Sequence, residues 1–223
     1  MKTCIVIPVH NEAAVIGQLI EKLKNLKYDV VVIDDGSTDD SGLIARKKGA
    51  VVIVHPVKKG KGLSLRDGFD YAVKENYDAV IALDGDGQHA VEDIAQFIEK
   101  SKEMGVGIVT GSRMQDYKGM PWVRLWVNRM MSAVISSICK QSIPDTQCGF
   151  RLISVPVLRQ VRLSSSDFEI ESEVLIKASK KGFKIHSVPV KTIYQNEVSK
   201  INPFKDTIRF FVYLFKEMRG SDS

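Results

Sequence analysis

The first half of the chain alternates short runs rich in β-branched residues with stretches of helical periodicity. The runs are Thr3–Val9, Asp29–Asp35, Ala50–His55, Asp78–Asp84 and Val106–Thr110, and Glu12–Leu26, Asp39–Lys48, Gly62–Glu75 and Val91–Met104 lie between them. Near-continuous Val/Ile strands joined through helices specify a parallel sheet covered on both faces, because a face open to water would show polar alternation. The expected fold is α/β, a doubly wound and mostly parallel sheet whose ligands sit beyond the C-terminal ends of the strands. After Arg113 the pattern changes. Pro121 opens a long apolar helical segment that runs to Cys139, Pro144–Arg151 is rich in turn formers, Ile170–Lys181 reads as a helix, Lys184–Tyr194 as a strand and Pro203–Met218 as a last helix. With 223 residues and no repeat or linker, one domain with C-terminal helical elaborations is expected.

Composition narrows the class further. Hydrophobic residues at 44% and charged residues at 26% argue against disorder and against a disulfide scaffold. Three cysteines without Cys-x-x-Cys spacing, and a start (MKTCIVIPVH) lacking a signal-peptide core, make a reducing, cytoplasmic compartment the expectation. No run of about 18 uninterrupted apolar residues is present; the longest candidate, Trp122–Cys139, carries Arg124 and Arg129. A formal charge of +5 suits a nucleotide or an anionic lipid, and no aromatic-interleaved basic motif points to nucleic acid.

Four constellations carry chemistry. Asp84-Gly85-Asp86-Gly87-Gln88 follows a strand directly, and two carboxylates with an amide oxygen at alternate positions suit a hard divalent ion; a glycine-containing polar turn is the alternative. Ile33-Asp34-Asp35-Gly36-Ser37-Thr38-Asp39 ends an earlier strand, where Asp35 is placed to accept hydrogen bonds from a base or ribose and the Ser/Thr/Asp part to cap a helix. Ile7-Pro8-Val9-His10-Asn11-Glu12 ends the first strand on the same rim, and Asn11 there can equally cap the next helix. Lys58-Lys59-Gly60-Lys61-Gly62 is a basic glycine loop without the P-loop pattern, readable as an accessory anion contact or as a solvated turn.

Together with Gly111-Ser112-Arg113, Asp145–Arg151 and Ser199-Lys200-Ile201, these motifs resemble family 2 glycosyltransferases of the GT-A fold, in the polyprenol-phosphate branch that includes dolichol-phosphate mannosyltransferases. The resemblance implies that Pro8, His10, Glu12, Ile33 and Asp35 line a nucleotide pocket. It implies that Asp84, Gly85 and Asp86 meet the donor, that Asp84, Asp86 and Gln88 hold Mg²⁺ or Mn²⁺, that Arg113 faces an acceptor phosphate, and that Lys200 meets a phosphate of donor or acceptor. Many relatives carry an arginine six residues before that lysine; here the position is Tyr194. On this basis residues 1–113 form the nucleotide-sugar and metal half, and residues 114–223 the acceptor and membrane-facing half. GDP-mannose is the first donor expected, followed by UDP-glucose and UDP-N-acetylglucosamine.

A phosphate acceptor is anionic at neutral pH and needs cationic positioning rather than a base. Arg124, Asn128 and Ser132 recur every four residues, which places them on one helical face amid Trp122, Trp126 and other apolar side chains. That stripe suits a phosphate site beside lipid; a buried core helix is the alternative. In Pro203–Met218, Lys205, Arg209 and Lys216 share a face opposite Phe204, Phe211 and Phe215, a pattern for a helix lying in a headgroup region or packed on the sheet. Asp86, Arg113 and Arg124 are the expected catalytic residues. The acceptor is expected to be polyprenyl or dolichyl phosphate, met on the cytoplasmic face of a membrane by the chain alone or docked to a membrane-anchoring subunit. The rivals are transfer to a glycan hydroxyl, with Glu169, Glu171 or Glu173 as base, and a silent nucleotide-sugar-binding module. His55 has no partner spacing, and Arg151 is placed either beside the acceptor or in a salt bridge.

Overall fold

The computed structural model describes residues 1–103, 105–115 and 120–191. Among the described residues seven strands form one sheet: β1 Thr3–Val9, β2 Asp29–Asp34, β3 Val51–Val54, β4 Ala79–Ala82, β5 Val106–Ser112, β6 Arg151–Ser154 and β7 Lys184–Pro189. Their order is β3-β2-β1-β4-β6-β5-β7. The β1–β2, β1–β4, β2–β3 and β5–β7 pairs are parallel, whereas β6 runs antiparallel to both β4 and β5. The mostly parallel α/β sheet is as expected; the antiparallel strand inside it was not read from the sequence, where Arg151 ended a turn-rich stretch.

The helices are α1 Ile16–Asn25, α2 Ser41–Lys47, α3 Lys61–Lys74, α4 Ile94–Ser101, α5 Trp122–Cys139, α6 Val155–Gln160 and α7 Ile170–Lys180. Alternation along β1 divides the core. Cys4 and Val6 face one cluster with Leu65 and Phe69 of α3, Ile135 of α5 and Leu175 of α7. Ile5, Ile7 and Val9 face the other, with Leu19 and Leu23 of α1 and Phe97 of α4. Both faces of the central strands β1, β2 and β4 are thus dry, which is why these strands carry no polar alternation. Helix α1 begins four residues later than its periodicity suggests, because residues 12–15 form turns that carry the end of β1 across the rim. Pro121 caps α5 rather than occupying its first turn. Since β6 and β7 belong to the second half of the sequence yet complete the sheet, both halves share one framework. Lys200, Tyr194 and the expected helix Pro203–Met218 lie outside the described residues.

Candidate active site

The C-terminal rim of β1, β2 and β4 gathers the three acidic and polar motifs. Asn11 adopts a left-handed conformation, φ 58°, which suits an asparagine. Its amide donates to Ser37 Oγ at 3.1 Å, and its Oδ1 accepts from the Thr38 amide at 2.8 Å. Two further bonds join the same loops: the Glu12 amide to Ser41 Oγ at 2.8 Å and the Ala13 amide to Asp39 Oδ2 at 3.1 Å. Asp39 also accepts from the Ser41 amide at the start of α2, the capping role expected of this stretch. His10 is held by its Nδ1 against the Asp35 carbonyl at 2.9 Å. Of the two strand-end carboxylates, Asp34 accepts from the Ser37 amide at 3.0 Å and lies against Gly42, where an added Cβ would sit 2.2 Å from Oδ2.

Asp35 is turned inward. Its Oδ1 accepts from the Lys59 amide at 2.7 Å and faces His55 Nδ1 at 2.8 Å, while Oδ2 accepts from the Gly60 amide at 2.9 Å. His55 Nε2 reaches Asp67 Oδ2 at 2.7 Å. Burial opposes the charge on Asp35, but His55 and the two amides outweigh it and hold the carboxyl below the usual range. Both Asp35 oxygens thus accept from the chain, through His55 and the Lys59 and Gly60 amides, and in this structure the carboxylate ties the strand end to the loop 58–60. That loop exposes Lys58 and Lys59 to solvent but is enclosed at its glycines. Gly60 (φ 102°) and Gly62 pack so closely on Ser166 and Asp167 that a Cβ at either would lie within 2.7 Å of them. His55 and Asp67 escaped the sequence reading because their contact spans β3 and α3, although His55 ends a strand on the same rim as Asp35.

The Asp84–Gln88 motif leaves β4 beside this loop. Gly85 packs against Val9 and the Pro8 carbonyl, and Gly87 takes a positive φ of 70°. Asp86 Oδ1 accepts the Gln88 amide at 3.0 Å, closing a polar turn. Lys61 Nζ lies 2.6 Å from Asp84 Oδ1 and 2.7 Å from Glu171 Oε1. Burial raises the Asp84 carboxyl, but Lys61 and His89 reverse this and hold it well below the carboxylate range. Asp86 goes the other way: burial and the Asp84 charge push its carboxyl up. Two neighbouring carboxylates, one short of a counter-ion, with an amide oxygen two residues on, form an oxygen donor set that fits Mg²⁺ or Mn²⁺. Among the described residues no three His, Cys, Asp or Glu side chains form a metal cage, so such an ion would take its other ligands from water and substrate, as Mg²⁺ commonly does. Lys61, Glu171 and Gly149, which lies against Asp84, were not assigned to this centre from the sequence; only the assembled fold brings residues 61, 84, 149 and 171 together.

On the far side of the rim, Arg113 Nε and Nη2 grip Asp145 at 2.8 and 2.9 Å. Asn128 Nδ2 donates to the same carboxylate at 2.8 Å, and Ser132 bonds to Asn128 and Thr146. Asn128 and Ser132 are buried. The polar stripe expected to meet a phosphate therefore satisfies the 145–146 turn inside the protein, and Arg124 lies one helical turn further out. Arg151 is likewise internal: its guanidinium donates to the carbonyls of Cys148, Thr146 and Glu171. Glu173 accepts from the Ser164 and Ser165 amides and from Lys177. Helix α5 is buried on this side and open on the other, where Trp122 and Trp126 are 79% and 63% exposed. Among the described residues no helix is long and apolar enough to cross a membrane.

The glycosyl transferase family 2 model matches residues 4–162, which hold every motif of this rim except those on α7 and beyond. The chain belongs to glycosyl transferase family 2. A relative in Methanococcus voltae, named UDP-N-acetylglucosamine–dolichyl-phosphate N-acetylglucosaminyltransferase, is 30% identical over 85% of this chain and 85% of its own. The polyprenol monophosphomannose synthase of Mycolicibacterium smegmatis is 25% identical over 85% and 76%. Glucosyl-3-phosphoglycerate synthase from Mycobacterium tuberculosis, solved with Mn²⁺, UDP and product, shares the fold at a TM-score of 0.69 and 19% identity, over 88% of this chain and 73% of that one. The family 2 fold thus places the Asp84–Gln88 loop at the strand ends, where doubly wound sheets bind ligands.

Proposed function

We propose that this family 2 chain is a metal-dependent, inverting glycosyltransferase that moves a hexose from a nucleotide-sugar to polyprenyl or dolichyl phosphate at a membrane surface. The observation that carries this reading is the pair Asp84 and Asp86 on the rim, two carboxylates of which only Asp84 is paired with the Lys61 ammonium, in a chain whose relatives are named for lipid-phosphate acceptors. Asp84, Asp86 and Gln88 would hold Mg²⁺ or Mn²⁺, which would supply charge neutralisation on the departing diphosphate. An acceptor phosphate oxygen forms the new bond to the anomeric carbon as the bond to the diphosphate oxygen breaks, and no proton has to be removed. The glutamates support this. Glu173 is enclosed by Ser164, Ser165 and Lys177, and Glu171 is paired with Lys61, so neither is poised as a base.

Residues 1–113 serve the donor, with Pro8, His10 and Glu12 around the nucleotide; Ile33, expected in the same pocket, is instead fully buried in the core against α3. Residues 114–223 serve the acceptor, with Arg124 and Lys200 as its cationic contacts and Arg113 holding the adjoining turn. Trp122 and Trp126 suit a headgroup interface, where the apolar body of an indole is buried and its N–H stays wet. Docking there is peripheral, on the cytoplasmic leaflet, with or without an anchoring subunit. The M. voltae relative raises UDP-N-acetylglucosamine beside GDP-mannose as the donor to try first.

The test incubates the protein with Mn²⁺, short-chain polyprenyl phosphate and, in parallel, labelled GDP-mannose, UDP-glucose or UDP-N-acetylglucosamine. Organic-phase label from one donor is expected, with Asp86→Ala reducing it at least about a hundredfold. Undiminished transfer by Asp86→Ala in metal-free buffer would overturn the site, and label appearing only on glycan hydroxyls would overturn the acceptor.

A further inference from the structure

Asp84 presents its two oxygens to different surroundings. Oδ2 lies 3.5 Å from His89 Nε2, and the Gly149 backbone backs both oxygens, so that a Cβ there would sit 2.5 Å from Oδ2 and 2.9 Å from Oδ1. Oδ1 is the oxygen that meets a cation in this structure, with Lys61 Nζ at 2.6 Å. The lysine's backbone is fixed, since Gly60 and Gly62 pack on Ser166 and Asp167 and the Leu63 amide donates to the Ser166 carbonyl at 3.2 Å. Its ammonium therefore moves only by its own side-chain rotations. A second anchor, Glu171 Oε1 at 2.7 Å, lies on α7, away from the metal motif.

We infer that Lys61 is a resident counter-ion that a divalent cation must displace from Asp84 Oδ1, with Glu171 keeping the displaced ammonium at the site. The inference rests on the proposed metal site and deepens it. A bare Asp84–Asp86 pair would repel itself, and a lysine tethered between two carboxylates stabilises the empty loop while leaving it open to exchange. Exchange leaves the Lys61–Glu171 pair intact, so it does not strand a buried charge, the expensive outcome for a partly buried site.

The experiment measures Mn²⁺ binding to the full chain by calorimetry, without donor or acceptor, for wild type, Lys61→Met, Glu171→Gln and the double variant. Lys61→Met is expected to lower the Mn²⁺ Kd by about tenfold, the size of one charge-assisted contact. Glu171→Gln, which leaves the ammonium wholly to Asp84, is expected to raise it severalfold. In the Lys61→Met background Glu171→Gln should change little, because its effect passes through the lysine. Unchanged or weaker binding by Lys61→Met overturns the inference, and so does a Glu171→Gln effect of full size in both backgrounds. Near-UV circular dichroism verifies folding, and Lys61→Gln replaces Lys61→Met if the latter does not fold. Wild type that binds no Mn²⁺ overturns the metal site together with the inference. Wild type and variants that bind as expected, with no transfer to lipid, confine the failure to the acceptor.

Discussion

Asp145 receives five donors: the amide, Nε and Nη2 of Arg113, Nδ2 of Asn128 and the amide of Gln147. Burial opposes its charge, but the Arg113 fork outweighs burial and keeps the carboxyl low. A carboxylate so enclosed fixes the 145–148 turn, and Gly149 then lies against Asp84. Arg113 thus acts first on the architecture of the centre. Replacing it by alanine leaves a buried carboxylate without its cation, so Arg113→Ala should cost about 3–5 kcal/mol of unfolding free energy. Lysine should recover little of this, since it cannot fork. Urea denaturation of the two variants tests the assignment; a loss below about 1 kcal/mol, the range of a surface pair, would return Arg113 to a purely ligand-facing role. The sequence shows the arginine and the aspartate but not their meeting, because 32 residues separate them and only the insertion of β6 beside β5 closes the gap.

At the scale of elements, α5 does two jobs that its periodicity merges. Asn128, Met131, Ser132 and Ile135 face inward, while Trp122, Val123 and Trp126 are exposed at its N-terminal end. Two large indoles left in water beside arginines are costly for a protein that meets only water. On anionic vesicles, Trp122→Ala with Trp126→Ala should weaken binding by about tenfold or more, given about 25 cal/mol for each Å² of apolar surface withdrawn from water, with the melting temperature preserved. Equal vesicle binding by the double variant would remove α5 from the membrane face. What was legible follows from local pattern. The bounds of β1 are those read from its continuous apolar run, which a strand buried on both faces requires, and α3 and α7 each lie within one residue of the bounds their patterns suggest. What was not legible depended on distant pairing. The four residues of β6, opened by an arginine and closed by a serine, lack the Val/Ile run that marks the equally short β3 and β4, and become a strand because β4 and β5 flank them. The loop 58–62 reads as polar, yet Asp35 and the 166–167 turn enclose it.

Across the whole molecule, the rim is built from buried charges matched in place. Asp35 is met by His55 and two amides, Asp145 by Arg113, and Glu173 by Lys177 with Ser164 and Ser165. In each case burial disfavours the carboxylate, but its partners prevail and the folded-state pKa lies below the ordinary value. The unfolded chain, with aspartate near ~3.9 and glutamate near ~4.3, then binds more protons than the folded one as the medium is acidified. The stability these groups contribute is fully present above about pH 5 and is lost as the pH falls through the unfolded and then the depressed folded values. The urea midpoint should accordingly hold from pH 7 to 5 and fall steadily between pH 5 and 3. Glu173→Gln should begin from a lower midpoint at pH 7 and show a shallower acid decline, having no proton left to take up at that position. A midpoint independent of pH down to 3 would mean that these carboxylates are no better held in the folded chain than in the unfolded one. The lattice of buried pairs would then not be what keeps the rim in shape.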